Sequence, residues 1–299
     1  MISVNEDVIK YQRKLIDTFS RTIDFLEDNH LRWWCAYGTA IGAVRHHGII
    51  PWDDDIDIFM PYDDYSRFLK ITDAESYNLQ IDIPLSENNV CPWAKITDTN
   101  STIWQLEYIR SISGVWIDVF PLFSTNKTQR ELQMLTKKYH SLYAKYQNSV
   151  TDFVPHDFIM MLKEFKLLNL KQRITSILFY HCQHTKIRNE FLDFLNSINE
   201  PSGQYLIAPQ EKNDIFPKEW FDSDIVENFN GLKVKIPNGN DQILTQMFGD
   251  YMTPPPIESR ITSHSFYFVD LNTKKSIQEI ESLNKVRTTK NKNQQTINL

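Results

Sequence analysis

The chain has 299 residues, of which 41% are hydrophobic and 23% are charged, so it is long and apolar enough to form a sizeable core. This composition excludes an intrinsically disordered protein. The 32 Lys and Arg residues against 38 Asp and Glu give a formal net charge of −6, which opposes binding to nucleic acid. Three cysteines without a Cys-x-x-Cys pair predict free thiols in a reducing compartment.

The sequence predicts a cytoplasmic protein. Its beginning shows no charged segment followed by an apolar stretch, as a secretory signal would require. No run of about eighteen apolar residues, the length that spans a membrane, occurs in it. A lipid-linked acceptor would therefore be met at the inner face of the membrane.

The first elements are predicted from the spacing of apolar residues. Residues 6 to 29 favour a helix, because apolar side chains recur at steps of three and four. Residues 32 to 37 favour a short aromatic strand that ends at a Gly-Thr dipeptide, and residues 40 to 47 a short helix that stops at Gly48. A Gly-Thr turn at a helix start offers backbone N–H groups and a hydroxyl to an anionic phosphate.

The most informative segment is residues 51 to 60, Pro-Trp-Asp-Asp-Asp-Ile-Asp-Ile-Phe-Met. Side chains alternate along a strand, so Asp53, Asp55 and Asp57 are predicted to share one face. Such carboxylates, roughly 7 Å apart at their bases, can converge on one hard cation. Acids packed together repel and desolvate one another, and a bound divalent metal would relieve that cost. The alternative is a solvated acidic turn before a strand.

Asp118 is the candidate for a third carboxylate of this site. It alternates with Ile117 and Val119 in a predicted strand, where a core strand has no other use for an acid. With Asp55 and Asp57 it would form the three-carboxylate site used in phosphoryl or nucleotidyl transfer, as a metal ligand or as the base. The alternative is an aspartate at a strand end that binds backbone.

Cations are expected nearby, because charge builds up on the phosphate oxygens during transfer. Arg45 is predicted either to bind phosphate or to hold Asp53 or Asp54 in place. Asp54 faces away from the other acids and is predicted to be structural, with Arg45 as its partner. Lys95 is a candidate phosphate ligand, because a buried lysine is rare without an anionic partner. The alternative is a surface lysine on an edge strand.

Other residues carry weaker patterns. Arg260 and His264 follow a Pro-rich turn and are predicted either to touch the acceptor or to serve in capping and packing. The cluster from His181 to His184, which includes Cys182, lacks a second ligand pair and is predicted to be structural rather than a zinc site. Six tryptophans crowd the motifs, and one or two could box a quaternary ammonium group by cation–π contact: Trp33, Trp34, Trp52, Trp93, Trp104 and Trp116.

The fold class predicted is α/β (α+β), a mixed-sheet core with a helical insertion. Further elements are predicted at residues 62–71 (helix), 91–97 and 114–122 (strands, the second bounded by Pro121), 231–237 (strand) and 241–248 (helix). Residues 127–203 favour helices with a break near Val154 and Pro155, as a lid or acceptor-binding subdomain. The predicted organisation is a catalytic core in 1–126, the helical insertion in 127–203, a part completing the core in 204–268, and a basic tail in 269–299, a poorly packed helix and then disorder.

The run from Gly38 to Asp57, Gly-Thr-Ala-Ile-Gly-Ala-Val-Arg-His-His-Gly-Ile-Ile-Pro-Trp-Asp-Asp-Asp-Ile-Asp, resembles the LicD family of phosphotransferases. That family is related to the fukutin-type ribitol-phosphate transferases and shares the Gly-Ser/Thr turn and Asp-x-Asp of the nucleotidyltransferase superfamily. Four further family-like segments follow in order: Tyr-Asp-Asp-Tyr at 62–65, Ala-Lys-Ile-Thr-Asp at 94–98, Gly-Val-Trp-Ile-Asp-Val-Phe-Pro at 114–121 and Phe-Gly-Asp-Tyr-Met at 248–252.

The resemblance implies a nucleotidyltransferase-like core that uses Mg²⁺ or Mn²⁺, one ion or two. The predicted catalytic residues are Asp55, Asp57 and Asp118. The same three residues and Asp53 are the predicted metal ligands. The predicted donor-binding residues are Gly38, Thr39, Arg45 and Lys95.

The implied reaction moves a phospho-substituent, foremost phosphocholine from CDP-choline, onto a sugar hydroxyl of a cell-surface glycan such as lipopolysaccharide, capsule or teichoic acid. The expected partners are the CDP-activated alcohol donor and a glycan or lipid-linked saccharide acceptor, and not nucleic acid. Two alternatives stay open: a nucleotidyltransferase that releases pyrophosphate, and a non-catalytic protein that binds nucleotide or glycan.

Overall fold

The protein has the predicted α+β class. The computed structural model describes residues 6–152, 171, 174, 179–211, 214–262 and 264–290, with the side chains of the last helix described to residue 283. Its helices are α1 Glu6–Asp28, α2 Tyr37–Ile41, α3 Tyr62–Phe68, α4 Gln129–Val150, α5 His184–Asn196, α6 Asn240–Phe248 and α7 Ile277–Lys290. Its strands are β1 Trp34–Cys35, β2 Asp57–Pro61, β3 Leu79–Asp82, β4 Ala94–Asp98, β5 Thr102–Trp104, β6 Ile112–Ser113, β7 Trp116–Thr125, β8 Tyr205–Ile207, β9 Ile215–Pro217, β10 Asp224–Phe229, β11 Leu232–Pro237 and β12 Phe268–Asp270.

The central sheet has the strand order β1-β2-β7-β4-β3, and β8 and β9 extend it from the end of β7. Strands β2 and β7 are parallel, and this register sets Asp57 beside Asp118. Strand β4 is antiparallel to β7 on its other side and sets Lys95 beside Asp118. The sheet therefore gathers three charged residues on neighbouring strands. Two smaller sheets, β10-β11 and β12-β5-β6, complete the described fold.

Helix α1 confirms the first sequence prediction to within one residue. The side chains that recur along one face are buried: Val8, Tyr11, Leu15, Phe19, Phe25 and Leu26. The polar side of the same helix is held to the sheet by two ion pairs. Lys14 and Arg21 lie 3.0 and 2.8 Å from the carboxylate of Asp98, which is at the end of β4. The side chain of Asp98 has no exposed surface.

Strand β7 is the centre of the sheet, and all ten of its residues are buried. The expectation that Pro121 bounds this strand is wrong, because the strand continues to Thr125. The N–H of Asp118 donates to Ile56 in the chain beside it. Pro121, three residues on, therefore turns its nitrogen to the opposite side, beyond the last β4 pair at Ala94 and Val119. Its missing N–H leaves no ladder bond unmade.

The short helix before the acids follows its prediction with one difference. Helix α2 continues as a π-type turn over Gly42–His46, and the residue that ends it is His47, whose φ of 52° is left-handed. Gly48 serves another purpose. A Cβ there would lie 2.5 Å from the side-chain oxygen of Asn230, so the glycine allows close approach rather than a helix stop.

The region after β7 is helical where it is described. Helices α4 and α5 bury a common apolar cluster that includes Tyr139, Leu142, Phe191 and Leu195. The predicted break at Val154 and Pro155 lies outside the described residues.

The C-terminal part returns to the sheet. Strand β8 pairs with β7, and α6 follows the β10-β11 hairpin. The start of the predicted tail contains β12 and α7, and its last nine residues lie outside the description. Within the described part of the chain, no helix is both long enough and apolar enough to cross a bilayer.

Candidate active site

Three of the predicted acids lie together in one cavity. Asp53, Asp55 and Asp57 line a cleft of about 620 Å³. The predicted strand is shorter than expected, because β2 begins at Asp57 and residues 53 to 56 form an irregular segment before it. All three side chains line the cleft, but their carboxylates do not all come within 4.8 Å of one another, so their convergence on one cation stays a prediction.

The Gly-Thr dipeptide is built against these acids. A Cβ at Gly38 would lie 2.7 Å from a carboxylate oxygen of Asp53, so only glycine lets the chain pass so close. The hydroxyl of Thr39 accepts a 2.9 Å hydrogen bond from the backbone N–H of Asp57. Both residues thus fix the acid segment, and the Thr39 hydroxyl keeps its own hydrogen for another acceptor.

Burial and like charge raise the pKa values of the three cavity acids. Burial, followed by the charge of Asp55, raises the pKa of Asp53 to about 9. Burial and then Asp55 and Asp118 raise the pKa of Asp57 well above its ordinary range. Burial raises the pKa of Asp55 as well. Burial and like charge thus disfavour ionisation of these acids, a cost that a bound cation would offset.

Asp118 is brought beside Asp57 but is covered by two indoles. Trp93 and Trp116 donate to its two oxygens at 2.6 and 2.9 Å, and 5% of the residue is exposed. Each oxygen retains one further lone pair. The structure therefore brings the predicted third carboxylate to the edge of the acid cluster, and its role as a ligand or base stays a prediction.

Lys95 is buried, as its prediction as an anion-binding residue requires. Its strand lies between β7 and β3, so the alternative of a surface lysine on an edge strand is wrong. The ammonium lies 3.7 Å from Asp118 and 3.8 Å from the centre of a Trp116 ring. Although burial opposes its charge, Asp118 raises the pKa of Lys95 above its ordinary value. Its phosphate role stays a prediction.

Asp54 is buried, as predicted for a structural residue, but it does not point away from the other acids, since one of its oxygens lies within 4.8 Å of a carboxylate oxygen of Asp55. The expected partner Arg45 is wrong: Asp54 accepts from the backbone N–H of His264 at 3.0 Å and lies 3.1 Å from its Nδ1. Arg45 instead donates to the carbonyl of Tyr251. Burial and the nearby charge of Arg260 lower the pKa of Arg45.

His264 and Arg260, which follow the Pro-rich turn, contact residues of the segment 51–60. Besides its contacts with Asp54, the Nδ1 of His264 lies 4.0 Å from Asp55. Arg260 packs over the Trp52 ring at 4.9 Å and donates to the carbonyl of Pro255. Both observations agree with a packing role, and the contact with an acceptor stays a prediction.

The cavity acids supply the type of ligand atom that a hard divalent cation prefers. Asp53, Asp55 and Asp57 offer carboxylate oxygens, and no Lys or Arg lies among the described cavity-lining residues to offset their repulsion. Asp54, Asp55 and His264 also bring one ligand atom each within 4.8 Å of one another. No other such group, including His181 to His184, occurs in the described part of the chain.

The remainder of the cavity was anticipated by sequence reasoning only at Trp93. It consists of aromatic rings with a buried acid, Asp214, at its edge. The lining aromatic residues are Tyr37, Trp93, Phe120, Tyr139, Tyr143 and Phe248. Tyr139 and Tyr143, four apart on a predicted helix, were the available signal for one shared face. Nothing in the local sequence links Asp214 to a residue 177 positions earlier, Tyr37, which donates to it at 2.8 Å.

Comparisons with known proteins agree with the motifs around this cavity. Residues 30–162 match the family described as LicD/FKTN/FKRP, nucleotidyltransferase domain. The lipopolysaccharide cholinephosphotransferase LicD of Haemophilus influenzae is 26% identical over 237 residues, 76% of this chain and 84% of that protein. The human ribitol 5-phosphate transferase FKRP is 26% identical over 114 residues, 38% of this chain and 21% of that protein.

A short segment is shared more closely with the uncharacterized protein RT0683 of Rickettsia typhi, 46% identical over 50 residues, 17% of this chain and 16% of that protein. The family match contains the Gly-Thr dipeptide, the acid segment and Asp118. Residues 30–162 therefore form a domain of the LicD family, and the chain is a LicD-like phosphotransferase.

Proposed function

We propose that this protein transfers phosphocholine from CDP-choline to a sugar hydroxyl of a cell-surface glycan, such as lipopolysaccharide, capsule or teichoic acid. The observation that carries the proposal is the cleft that Asp53, Asp55 and Asp57 line together with Gly38. The similarity to a lipopolysaccharide cholinephosphotransferase over 84% of that protein supports the choice of substituent and acceptor.

The transfer needs a site that accepts concentrated negative charge, because the phosphoryl oxygens gain charge in the transition state. Asp53, Asp55 and Asp57, with Asp118 beside them, would hold Mg²⁺ or Mn²⁺. When bound, this ion would neutralise charge on the donor phosphates. Gly38 lets the chain lie against Asp53, and Thr39 keeps Asp57 in position. Arg45 and Lys95 are proposed to attract the donor phosphates from outside the acid cluster.

The reaction balances without a further reactant. A bond forms between the sugar oxygen and the phosphorus of phosphocholine, and the bond from that phosphorus to the bridging oxygen of CMP breaks. CMP leaves with the electron pair of the broken bond, and the proton of the sugar hydroxyl passes to a carboxylate of the cavity. We propose that the reaction takes place at the inner face of the membrane, and this location stays a prediction.

The test is a donor panel with two readouts. Purified protein is incubated with CDP-choline, CDP-ethanolamine, CDP-glycerol, CDP-ribitol, CTP or ATP, in Mg²⁺ or in EDTA, with lipid-linked or lipopolysaccharide saccharides as acceptors. Thermal stabilisation reports binding by mass action, and CMP or pyrophosphate release with product mass reports the reaction. We expect selective, Mg²⁺-dependent stabilisation by CDP-choline and CMP release with an added phosphocholine mass.

Release of pyrophosphate from CTP or ATP instead would replace the proposal with nucleotidyl transfer. Binding of CDP-choline without any CMP release across the acceptors would favour a non-catalytic binding protein. Asp222→Asn, which removes an exposed carboxylate outside the cavity, serves as a charge-matched control for any aspartate variant of the site.

A further inference from the structure

Five aromatic residues form a continuous wall along the cleft. The ring of Tyr37 meets that of Phe120 at 5.3 Å, and Phe120 meets Trp93 at 4.8 Å. Trp93 in turn meets Tyr143, and Tyr143 meets Tyr139, at 6.4 Å each. All five line the same cleft as the acids. Strand β7 and helix α4 therefore present ring faces to one volume.

A buried carboxylate stands at the edge of this wall. Asp214 is 2% exposed, and its Oδ2 accepts a 2.8 Å hydrogen bond from the hydroxyl of Tyr37. Gln210 donates to the same hydroxyl at 2.8 Å, which orients it toward the carboxylate. The other oxygen of Asp214 makes no hydrogen bond to a described residue, and the residue lines the cleft.

The charge of Asp214 has no basic partner in the described structure. No Lys or Arg lies among the described residues that line the cleft. Burial raises the pKa of Asp214 to about 7, a cost that a neighbouring cation would offset. An aromatic wall with an unneutralised buried acid at its edge is the environment that binds organic cations by cation–π and charge attraction.

We propose that the aromatic wall and Asp214 form a subsite for a quaternary ammonium group, and that this subsite selects the alcohol of the donor. The inference rests on the proposed function, because it takes the donor phosphates to lie at the acids. Tyr37 immediately precedes Gly38, so the subsite adjoins the acid cluster along the chain. A zwitterionic phosphocholine would then place phosphate at one side of the cleft and trimethylammonium at the other.

The same wall suits a polyol poorly. A ribitol chain carries hydroxyls that need donors and acceptors when they leave water, and ring faces supply neither. The hydroxyl of Tyr37 is already engaged, because it donates to Asp214 and accepts from the amide of Gln210. The wall therefore favours a cationic alcohol over a polyhydroxy alcohol.

The test compares donors that differ only in the alcohol. CDP-choline, CDP-ethanolamine, CDP-ribitol and CDP-3,3-dimethylbutanol, the uncharged isostere of CDP-choline, are measured by calorimetry against wild type in Mg²⁺. We expect CDP-choline to bind about 10-fold or more tightly than the isostere, and CDP-ribitol more weakly than both.

Two variants probe the subsite independently. Asp214→Asn should weaken CDP-choline about 10-fold and leave the isostere within about twofold, since only the charge changes. Tyr143→Leu should weaken CDP-choline about 3- to 30-fold through loss of a ring face. Asp222→Asn, exposed and outside the cleft, should leave CDP-choline binding unchanged. The melting temperature of each variant checks folding.

The outcomes separate this inference from the proposed function. Equal binding of CDP-choline and its isostere to wild type, or an equal loss of both in Asp214→Asn, would overturn the subsite while phosphocholine transfer could still hold. Asp214-dependent selectivity for CDP-choline without transfer would keep the subsite and refute the transferase. Tighter binding of CDP-ribitol than of CDP-choline would overturn both the subsite and the choice of donor.

Discussion

Buried acids occur in two kinds of surroundings in this protein. Asp98 and Asp64 are each held by two basic side chains: Lys14 and Arg21 contact Asp98, and Arg32 and Arg67 contact Asp64 at 2.6 and 2.7 Å. The acids of the cleft have chiefly one another. The first kind joins elements of the fold, whereas the second opposes folding.

The pKa values record this contrast. Although burial opposes ionisation, hydrogen bonds from Ser101, Lys14 and Arg21 lower the pKa of Asp98. Burial and like charge raise that of Asp53 to about 9. Acids that weaken the fold persist only where they do something else, which is the physical reason to read the cleft as a cation site.

The largest effect should follow from Asp57→Asn. Asp57 is buried and its pKa is raised well above the ordinary range by burial, Asp55 and Asp118, so a neutral amide removes a charge that the apo fold carries at a cost. We expect transfer to fall by about 10³-fold while metal-free stability at pH 8 rises by about 1–3 kcal/mol. Activity assays and chemical unfolding in EDTA measure the two quantities. A lower metal-free stability would mean that the carboxylate already has a stabilising partner.

The opposite result is expected for Asp98→Asn. This change leaves Lys14 and Arg21 without their carboxylate and should cost about 3–5 kcal/mol of unfolding free energy. Transfer per folded molecule should stay near wild type, because Asp98 does not line the cleft. Unfolding curves and activity normalised to folded protein check this. A gain in stability would erase the contrast between the two kinds of acid.

The sequence predicted the acid side of the cleft because that side is local. Gly38, Thr39 and the aspartates at positions 53, 55 and 57 lie within 20 residues of sequence. The two-residue spacing of the aspartates, after a Gly-Thr dipeptide, was enough to predict that they share a site. Asp118 was predicted from its pattern inside an apolar strand, and the parallel register of β2 and β7 sets it beside Asp57. Local pattern and sheet pairing sufficed there.

The aromatic side could not be predicted because long-range packing assembles it. Asp214 meets Tyr37 across 177 positions, and Asp54 meets His264 across 210. The predicted pairing of Arg45 with Asp54 was wrong for the same reason. Their closeness in sequence suggested an ion pair, but the fold brings His264 next to Asp54 instead. The prediction that Pro121 ends its strand was wrong. A proline interrupts a strand only if its nitrogen faces a paired neighbour, and the strand register determines this.

As pH rises, the cleft acids should lower the stability of the metal-free fold, whereas paired acids such as Asp98 should raise it. A carboxyl whose pKa in the folded state is raised from 3.8 to about 9, as for Asp53, stabilises the fold fully below pH 4 and loses that contribution as pH rises to 9. In EDTA, wild type should therefore lose at least about 2 kcal/mol relative to Asp53→Asn between pH 5 and 9.

Urea unfolding of both proteins at several pH values gives the difference, in which contributions from paired acids such as Asp98 cancel. Mg²⁺ should remove most of the loss in wild type and leave Asp53→Asn less affected. A difference that stays constant with pH would show that Asp53 ionises as freely in the fold as outside it.

The smallest effect concerns how the acid segment is held despite its repulsion. Thr39→Val keeps the shape of the side chain but leaves the buried N–H of Asp57 without its acceptor, which should cost about 1–2 kcal/mol. Thr39→Ser keeps the hydroxyl and should restore most of the loss, so the pair separates the hydrogen bond from packing. Because the bond fixes the backbone of Asp57, transfer should fall about 10-fold in the valine variant and recover in the serine variant. If both variants lose stability equally, the methyl group rather than the hydroxyl holds the segment. If stability falls without transfer, the acids are positioned by their own cation and not by the Gly-Thr dipeptide.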